Sequence, residues 1–243
     1  MVSKNQLKII TDLHQKKHRQ LQNMFLAEGQ KCISELLQSD LELVYLLETE
    51  PIFKDYTFLE KHLISAAELK KVSALANANN CLAVFKIPKP KQIQTSGLIV
   101  ALDNISDPGN LGTIIRLCDW FGVSELVCSK ETVDLYNPKV VQATMGSLTR
   151  INVTYLDLDV FLSETTLPVF GTFMDGENVY KTKLSRTGIL LMGNEANGVS
   201  RILEKKISQR ISIPRFGNLQ ATESLNVATA TAIFLSEFNR SCT

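Results

Sequence analysis

Three short polar stretches of this chain combine amide, carboxylate, hydroxyl and guanidinium side chains with glycine: "DNISDPGNLG" at 103–112, "GNEANGVS" at 193–200 and "IPRFGNLQATESLN" at 213–226. The first opens into an amphipathic run whose apolar stripe is Leu111, Ile114, Ile115, Cys118 and Phe121. Arg116 lies off that stripe, near Gly112, Asp119 and Trp120. It is either a plain solvated charge or a planar fork held at a ligand rim, a shape suited to phosphate. Asp107 or Asn110 can cap the helix, with Pro108 and Gly109 setting a tight turn. In the second stretch Gly193 and Gly198 flank Asn194, Glu195 and Asn197, and two glycines permit the close backbone approach that main-chain recognition of adenine requires. Ser200 is its helix cap. In the third, Ser224 is placed to cap the last helix. Asn226 then falls in the first turn, where an asparagine favours stability little and a ligand contact would account for it.

Positioning such loops requires a scaffold, and the pattern around them supplies one. Apolar runs of strand length at 97–104, 125–129, 168–174, 188–195 and 210–214 alternate with helical segments at 110–121, 137–150, 201–208 and 224–240. Continuous rather than alternating apolar strands, separated by helices, indicate a parallel sheet covered on both faces. All three polar stretches follow strands, so they gather on the carboxyl rim of that sheet, where ligands bind in open α/β folds. Small residues Ala228, Ala230 and Ala232 in the final helix fit tight packing against a second subunit.

Upstream, a proline- and lysine-bearing stretch at 85–97 has the composition of a linker. Before it the pattern reads helix 7–22, strand 24–29, helix 31–38, strand 41–48, helix 66–75 and strand 80–87, a small α/β domain. The expected organisation is therefore residues 1–88 as a small α/β domain, 89–96 as linker and 97–243 as a second, parallel-sheet domain. The 243 residues are 44% hydrophobic and 21% charged, ordinary for a globular protein and unlike a disordered one. No apolar run approaches the roughly 18 residues that span a bilayer, and the basic start lacks a secretory core, which together point to the cytoplasm. Cys32, Cys81, Cys118, Cys128 and Cys242 are odd in number and lack paired spacing, so reduced thiols and no metal are expected. The net charge of +1 hides a mild asymmetry: residues 1–92 hold 13 basic and 10 acidic side chains, the remainder 13 and 15. The first loop fits neither the dinucleotide nor the P-loop glycine pattern, which disfavours a nucleotide-dependent oxidoreductase.

Taken in order, the three stretches resemble the three motifs of the SpoU (TrmH) family of RNA ribose 2′-O-methyltransferases, within the SPOUT superfamily, over residues 97–240. "DPGNLGTIIRLCDWFGV" is similar to the first motif through Asn110 and Arg116. "LLMGNEANGVS" is similar to the second through Gly193, Glu195 and Gly198, and "ISIP…ESLNVATATAIFL" to the third through Ile213, Pro214, Ser224, Leu225 and Asn226. The N-terminal part resembles the family's ribosomal-protein-like substrate-binding domain, through "KKHR" at the end of the first helix and Glu28–Gly29 with the helix after them.

The resemblance implies a sheet whose C-terminal segment threads a loop to make a trefoil knot, S-adenosylmethionine as cofactor, a homodimer formed through the C-terminal domain, and RNA as substrate. It implies RNA binding for residues 1–88 and catalysis for residues 97–243. Ribosomal RNA is preferred to transfer RNA because of the N-terminal domain. Thr172, Met192, Gly193, Gly198, Ile213 and Leu225 would surround the cofactor. Arg116, Asn110, Glu195, Ser224 and Asn226 would form the catalytic set. In it Arg116 clamps an RNA phosphate and the hydroxyl, Asn110 orients Arg116 or the ribose, and Glu195 holds its loop or counterbalances the arginine. Ser224 and Asn226 fix the third loop. Two departures stand out: nine residues separate Pro214 from Ser224 where about six are usual in the motif, and Arg215 stands where methionine is common. An RNA-binding protein of the same fold without turnover is the alternative reading.

Overall fold

The computed structural model describes residues 2–57, 60–217 and 224–240. Cys242 and residues 218–223 of the third polar stretch lie outside them. The chain divides into two compact units, Met1–Lys89 with Asp134–Thr149, and Pro90–Val133 with Arg150–Thr243.

In the first unit the single helix expected over 7–22 is two, α1 (Lys4–Asp12) and α2 (Lys16–Gln22). The break has a buried cause. The Arg19 guanidinium donates to the carbonyls of Leu13 and His14, each at 2.9 Å, and to the Asp134 carboxylate at 2.6 Å. Carbonyls held this way leave the helical ladder, and the arginine of "KKHR" is thereby structural, only 2% exposed. Strands β1 (Met24–Glu28), β2 (Leu43–Glu48), β3 (His62–Leu63) and β4 (Cys81–Lys86) form a sheet in the order β1-β4-β2-β3, antiparallel except between β2 and β3.

The strand period of two sorts side chains between the faces of this sheet. Leu26, Leu82 and Val84 join Ile10, Leu13, Leu69 and Val72 from the α1 end and from α4 (Ala66–Val72). Phe25 and Phe85, stacked at 5.8 Å, belong to the other face, where α3 (Gln30–Leu37) packs. Glu28 is buried because it accepts from Ser73 Oγ at 2.6 Å and from the Ala74 amide at 2.8 Å. The segment Asp134–Thr149 departs from the expected 97–243 division, since it packs with this unit. Its Tyr136 ring lies 4.7 Å from Phe25, and its helix α6 (Pro138–Thr144) packs on β1.

The second unit holds a six-stranded sheet, all parallel, in the order β10-β8-β9-β5-β6-β7. Its strands are β5 (Leu98–Leu102), β6 (Glu125–Ser129), β7 (Asn152–Leu156), β8 (Val169–Asn178), β9 (Gly188–Met192) and β10 (Gln209–Ser212). Helices α5 (Pro108–Trp120), α7 (Leu158–Glu164), α8 (Arg201–Glu204) and α9 (Val227–Arg240) accompany them. β7 and α7 are absent from the expected elements; β7 escapes the periodicity reading because it is a sheet edge, half-buried throughout. One core is built from Ile99, Ala101, Val127, Ile189 and Leu191 of the sheet with Leu158, Leu162 and Leu203 of α7 and α8.

The β8–β10 pairing has an unusual register. Gln209 and Arg210 pair with Phe170 and Gly171, but Ile211 and Ser212 pair with Glu177 and Asn178, so residues 172–176 are left without ladder partners between the two. At Gly176 the backbones nearly touch, and a Cβ there would lie 2.5 Å from the Ile211 carbonyl carbon. Only glycine allows that crossing.

Cys32, Cys81, Cys118 and Cys128 are free and buried. Desolvation pushes the thiols of Cys32, Cys81 and Cys118 up to about 12 and raises that of Cys128 as well. Unfolded thiols ionise near about 8.5, so above that pH the unfolded state sheds protons that the native state keeps. Stability therefore falls as pH rises from about 8.5 toward 12, and the thermal midpoint is expected to drop between about pH 8 and pH 10. At the lower pH none of these four thiols should react with a thiol reagent until denaturant is added.

Candidate active site

The three polar stretches meet, and capping geometry explains how. α5 begins at Asp107, whose Oδ1 accepts from the Asn110 amide at 2.8 Å, with Pro108 in the first turn. α9 begins after Asn226, whose Oδ1 accepts from the amides of Ala228 at 3.0 Å and Thr229 at 3.2 Å. The cap is thus Asn226 and not the expected Ser224. An asparagine there is favourable for the helix itself, so Asn226 no longer needs a ligand to account for it. Ser200 precedes α8 without capping it through its side chain.

The second stretch folds on itself. Asn194 and Gly198 exchange two backbone hydrogen bonds of 2.9 Å, and Asn194 Oδ1 accepts from the amides of Ala196 and Asn197. Asn194 Nδ2 donates to the Asn104 carbonyl at 2.6 Å, which ties this loop to the one after β5. Asp103, only 7% exposed, accepts from the Ser200 amide at 2.7 Å and adds a second tie. Gly193 is enclosed so tightly that a Cβ would stand 2.2 Å from the Gly198 carbonyl carbon and 2.3 Å from the Val199 nitrogen.

A directional relay then runs across all three stretches. Asn110 Nδ2 donates to Glu195 Oε1 at 2.9 Å, and Asn226 Nδ2 donates to Asn110 Oδ1 at 2.8 Å. The orientation of each amide is dictated by its neighbour. An ionised carboxylate only accepts, so Asn110 must turn its nitrogen to Glu195 and its oxygen to Asn226. Asn226 in turn has its oxygen committed to the helix amides and can offer only its nitrogen. Glu195 Oε2 also takes the Asn194 side chain at 3.4 Å and the Ser106 amide at 3.5 Å. Its oxygens are thus engaged by loop groups, and it does not pair with Arg116 as the counterbalancing role would require.

Beside the relay opens a cleft of about 1470 Å³. The expected cofactor residues Thr172, Met192, Gly193, Gly198, Ile213 and Leu225 all line it, together with Glu195 and Ser224. Thr172 is fixed there by donating to the Leu191 carbonyl at 3.1 Å. Asn110, Arg116 and Asn226 do not line it. Arg116 is exposed on α5 and has no hydrogen bond or ion pair among the described residues. The cleft also gathers residues the sequence reading did not single out: Phe173, Arg201, Arg210 and Phe216. Arg210 lies 3.6 Å over the Phe173 ring and pairs with Asp175 at 2.6 Å and with Glu204. Nothing local marks that cluster, because its members come from three separate elements.

Known proteins resemble the chain in both parts. Residues 97–236 match the SpoU rRNA Methylase family, and residues 4–83 match the MRM3-like substrate binding domain. The chain is 31% identical over 230 residues to the 23S rRNA (guanosine(2553)-2′-O)-methyltransferase RlmP of Bacillus subtilis, covering 92% of this chain and 91% of that protein. A TrmH-family protein from Porphyromonas gingivalis superposes with a TM-score of 0.89 at 34% identity, over 99% of each chain. An AdoMet-bound rRNA methyltransferase from Sinorhizobium meliloti does so with a TM-score of 0.84 at 29% identity, over 100% of this chain and 98% of that one.

Proposed function

This chain belongs to the SpoU rRNA Methylase family, and from that premise we propose that it transfers a methyl group from S-adenosylmethionine to the 2′-hydroxyl of a ribose in ribosomal RNA. The observation that carries the reading is the Glu195–Asn110–Asn226 relay, which locks three separate loops around one cleft. The residues present fit the cofactor. Met192, Ile213 and Leu225 offer an apolar wall, Thr172 and Glu195 offer polar edges, and about 1470 Å³ exceeds the roughly 300–1,000 Å³ of a typical small-molecule site. The excess leaves room for a nucleotide. When bound, the cofactor supplies an electrophilic methyl group.

The protein's own share is positioning, where effective molarities of about 10⁵ M or more are attainable. The relay fixes the loops that define the cleft, and Ser224 sits at its edge. A ribose hydroxyl is too weak an acid to ionise unaided, and arginine stays protonated throughout the working range. Arg116 therefore serves as a fork that holds an RNA phosphate against the hydroxyl, with a phosphate oxygen taking the proton.

A homodimer through the C-terminal unit completes the site. Thr113, Arg116 and Trp120 share one side of α5 at helical spacing, and Trp120 is 84% exposed. A second copy covering that side would carry Arg116 to its neighbour's cleft. Membership implies a threaded, knotted path for the C-terminal segment. In the first unit, exposed Lys4, Lys8, Lys16 and Lys17 on α1 and α2 support RNA contact. Among the described residues no helix is long and apolar enough to cross a membrane, and we place the activity in the cytoplasm.

The test is incubation of the purified protein with radiolabelled S-adenosylmethionine and unmodified 23S rRNA transcript, followed by mapping of the methylated ribose. One labelled 2′-oxygen is expected. Label on transfer RNA alone would overturn the ribosomal assignment, and RNA binding without any transfer would favour a protein that has lost turnover.

A further inference from the structure

The cleft lining includes an exposed aromatic side chain, Phe216, for which neither the relay nor the cofactor residues account. Tyr180 belongs to the short 3-10 turn Val179–Lys181 that follows β8, and Phe216 to the stretch that follows β10, so both stand at the carboxyl edge of the sheet. Their ring centroids are 6.3 Å apart with planes 31° from parallel. The Tyr180 backbone is held firmly. Its amide donates to Asn178 Oδ1 at 3.0 Å, Thr182 Oγ1 donates to the Asn178 carbonyl at 2.8 Å, and Val179 beside it is fully buried. Yet Tyr180 is 39% exposed and Phe216, which it backs, is 81% exposed.

One exposed phenylalanine is ordinary, but here it has company. Phe216 and Met174 are both exposed and both line the cleft, as does the half-exposed cofactor residue Leu225. Clustered exposed apolar side chains at the rim of a concave site mark a binding surface. Arg201 and Arg215 line the same cleft, so an apolar platform and positive charge are offered together. Single-stranded RNA has the matching chemistry, since its splayed bases stack on aromatic rings while its phosphates seek cations.

We propose that the exposed face of Phe216, backed by Tyr180, is a stacking platform for a nucleobase of the RNA strand entering the cleft. This rests on the methyl-transfer reading of the site. The adenine of the cofactor has the same ring chemistry, but Phe216 at 81% is far more exposed than the expected cofactor residues Met192 at 2% and Leu225 at 48%.

Phe216→Ala, Phe216→Trp and Tyr180→Ala are compared with wild type in three measurements. These are kcat/KM on unmodified 23S rRNA transcript, calorimetric affinity for S-adenosylhomocysteine, and quenching of a single-stranded RNA carrying 2-aminopurine. Loss of one stacked base should lower kcat/KM by roughly 10- to 100-fold in Phe216→Ala and less in Tyr180→Ala, with Phe216→Trp close to wild type. Affinity for S-adenosylhomocysteine should be unchanged, and quenching should fade in Phe216→Ala alone among the Phe216 variants. Unchanged kcat/KM in Phe216→Ala overturns the platform, and so does a parallel loss of S-adenosylhomocysteine affinity, which would assign the ring to adenine. If wild type transfers no methyl group, the functional reading fails by itself and quenching still decides the platform.

Discussion

Arg116→Ala is expected to reduce methyl transfer by about 10³-fold or more while S-adenosylhomocysteine binds as in wild type. The separation follows from position. Arg116 does not line the cleft where the cofactor residues gather, and it has no hydrogen bond or ion pair among the described residues. Its removal should shift stability by no more than about 0.5 kcal/mol, as for other surface changes. Arg116→Lys should recover little, because an ammonium cannot hold two oxygens in the planar fork. In the proposed homodimer this guanidinium serves the partner's cleft, which mixed dimers can check. If Arg116→Ala chains are co-expressed with chains crippled in the cleft, half of the dimers are mixed and each carries one intact site, so roughly a quarter of wild-type activity should return. Full activity in Arg116→Ala removes the residue from the mechanism. No recovery on mixing leaves it acting within its own chain.

Gly193→Ala supplies the cleft-crippled chain and should have the second-largest effect. The added Cβ would meet main chain, the Gly198 carbonyl carbon at 2.2 Å and the Val199 nitrogen at 2.3 Å, so no side-chain rotation relieves it. The loop must open, which breaks the paired Asn194–Gly198 hydrogen bonds and draws Glu195 away from Asn110. Affinity for S-adenosylhomocysteine should fall by roughly 100-fold, on the order of 3 kcal/mol, with a lower thermal midpoint. Gly198→Ala, in the same loop, should cost less. A Cβ at Gly198 meets nothing within 4 Å, and only its φ of +67° resists substitution, for about 1–2 kcal/mol of strain. Wild-type cofactor affinity in Gly193→Ala would show that the 193–198 loop is no part of the cofactor wall.

What could be read from sequence divides by range. The three loops announce themselves because glycine, asparagine and carboxylate after an apolar strand are costly unless turned to use, and each such signal is local. The choice between Ser224 and Asn226 as helix cap was not local. Both residue types cap helices, and what favours Asn226 is a hydrogen bond to Asn110, 116 residues earlier in the chain. The break between α1 and α2 was hidden for the same reason, since its cause is a buried arginine whose acid lies 115 residues further on. β7 gave no clear period because all five of its residues are half-buried. That Arg116 does not line the cleft was equally out of reach. Position within a motif reports shared chemistry, not where the fold places each side chain.

The packing of Asp134–Thr149 with the first unit means that the polypeptide passes between the two units at residues 89–90, 133–134 and 149–150. A protease cut in the stretch after residue 89 would therefore not release two intact bodies. Genetic exchange meets the same constraint. A recombination event that replaced only the first 89 residues would leave the Tyr136 ring and α6 facing a foreign β1, with Asp134 deprived of Arg19. The N-terminal region, which matches a substrate binding domain, must be inherited together with sixteen residues encoded in the middle of the other unit's sequence.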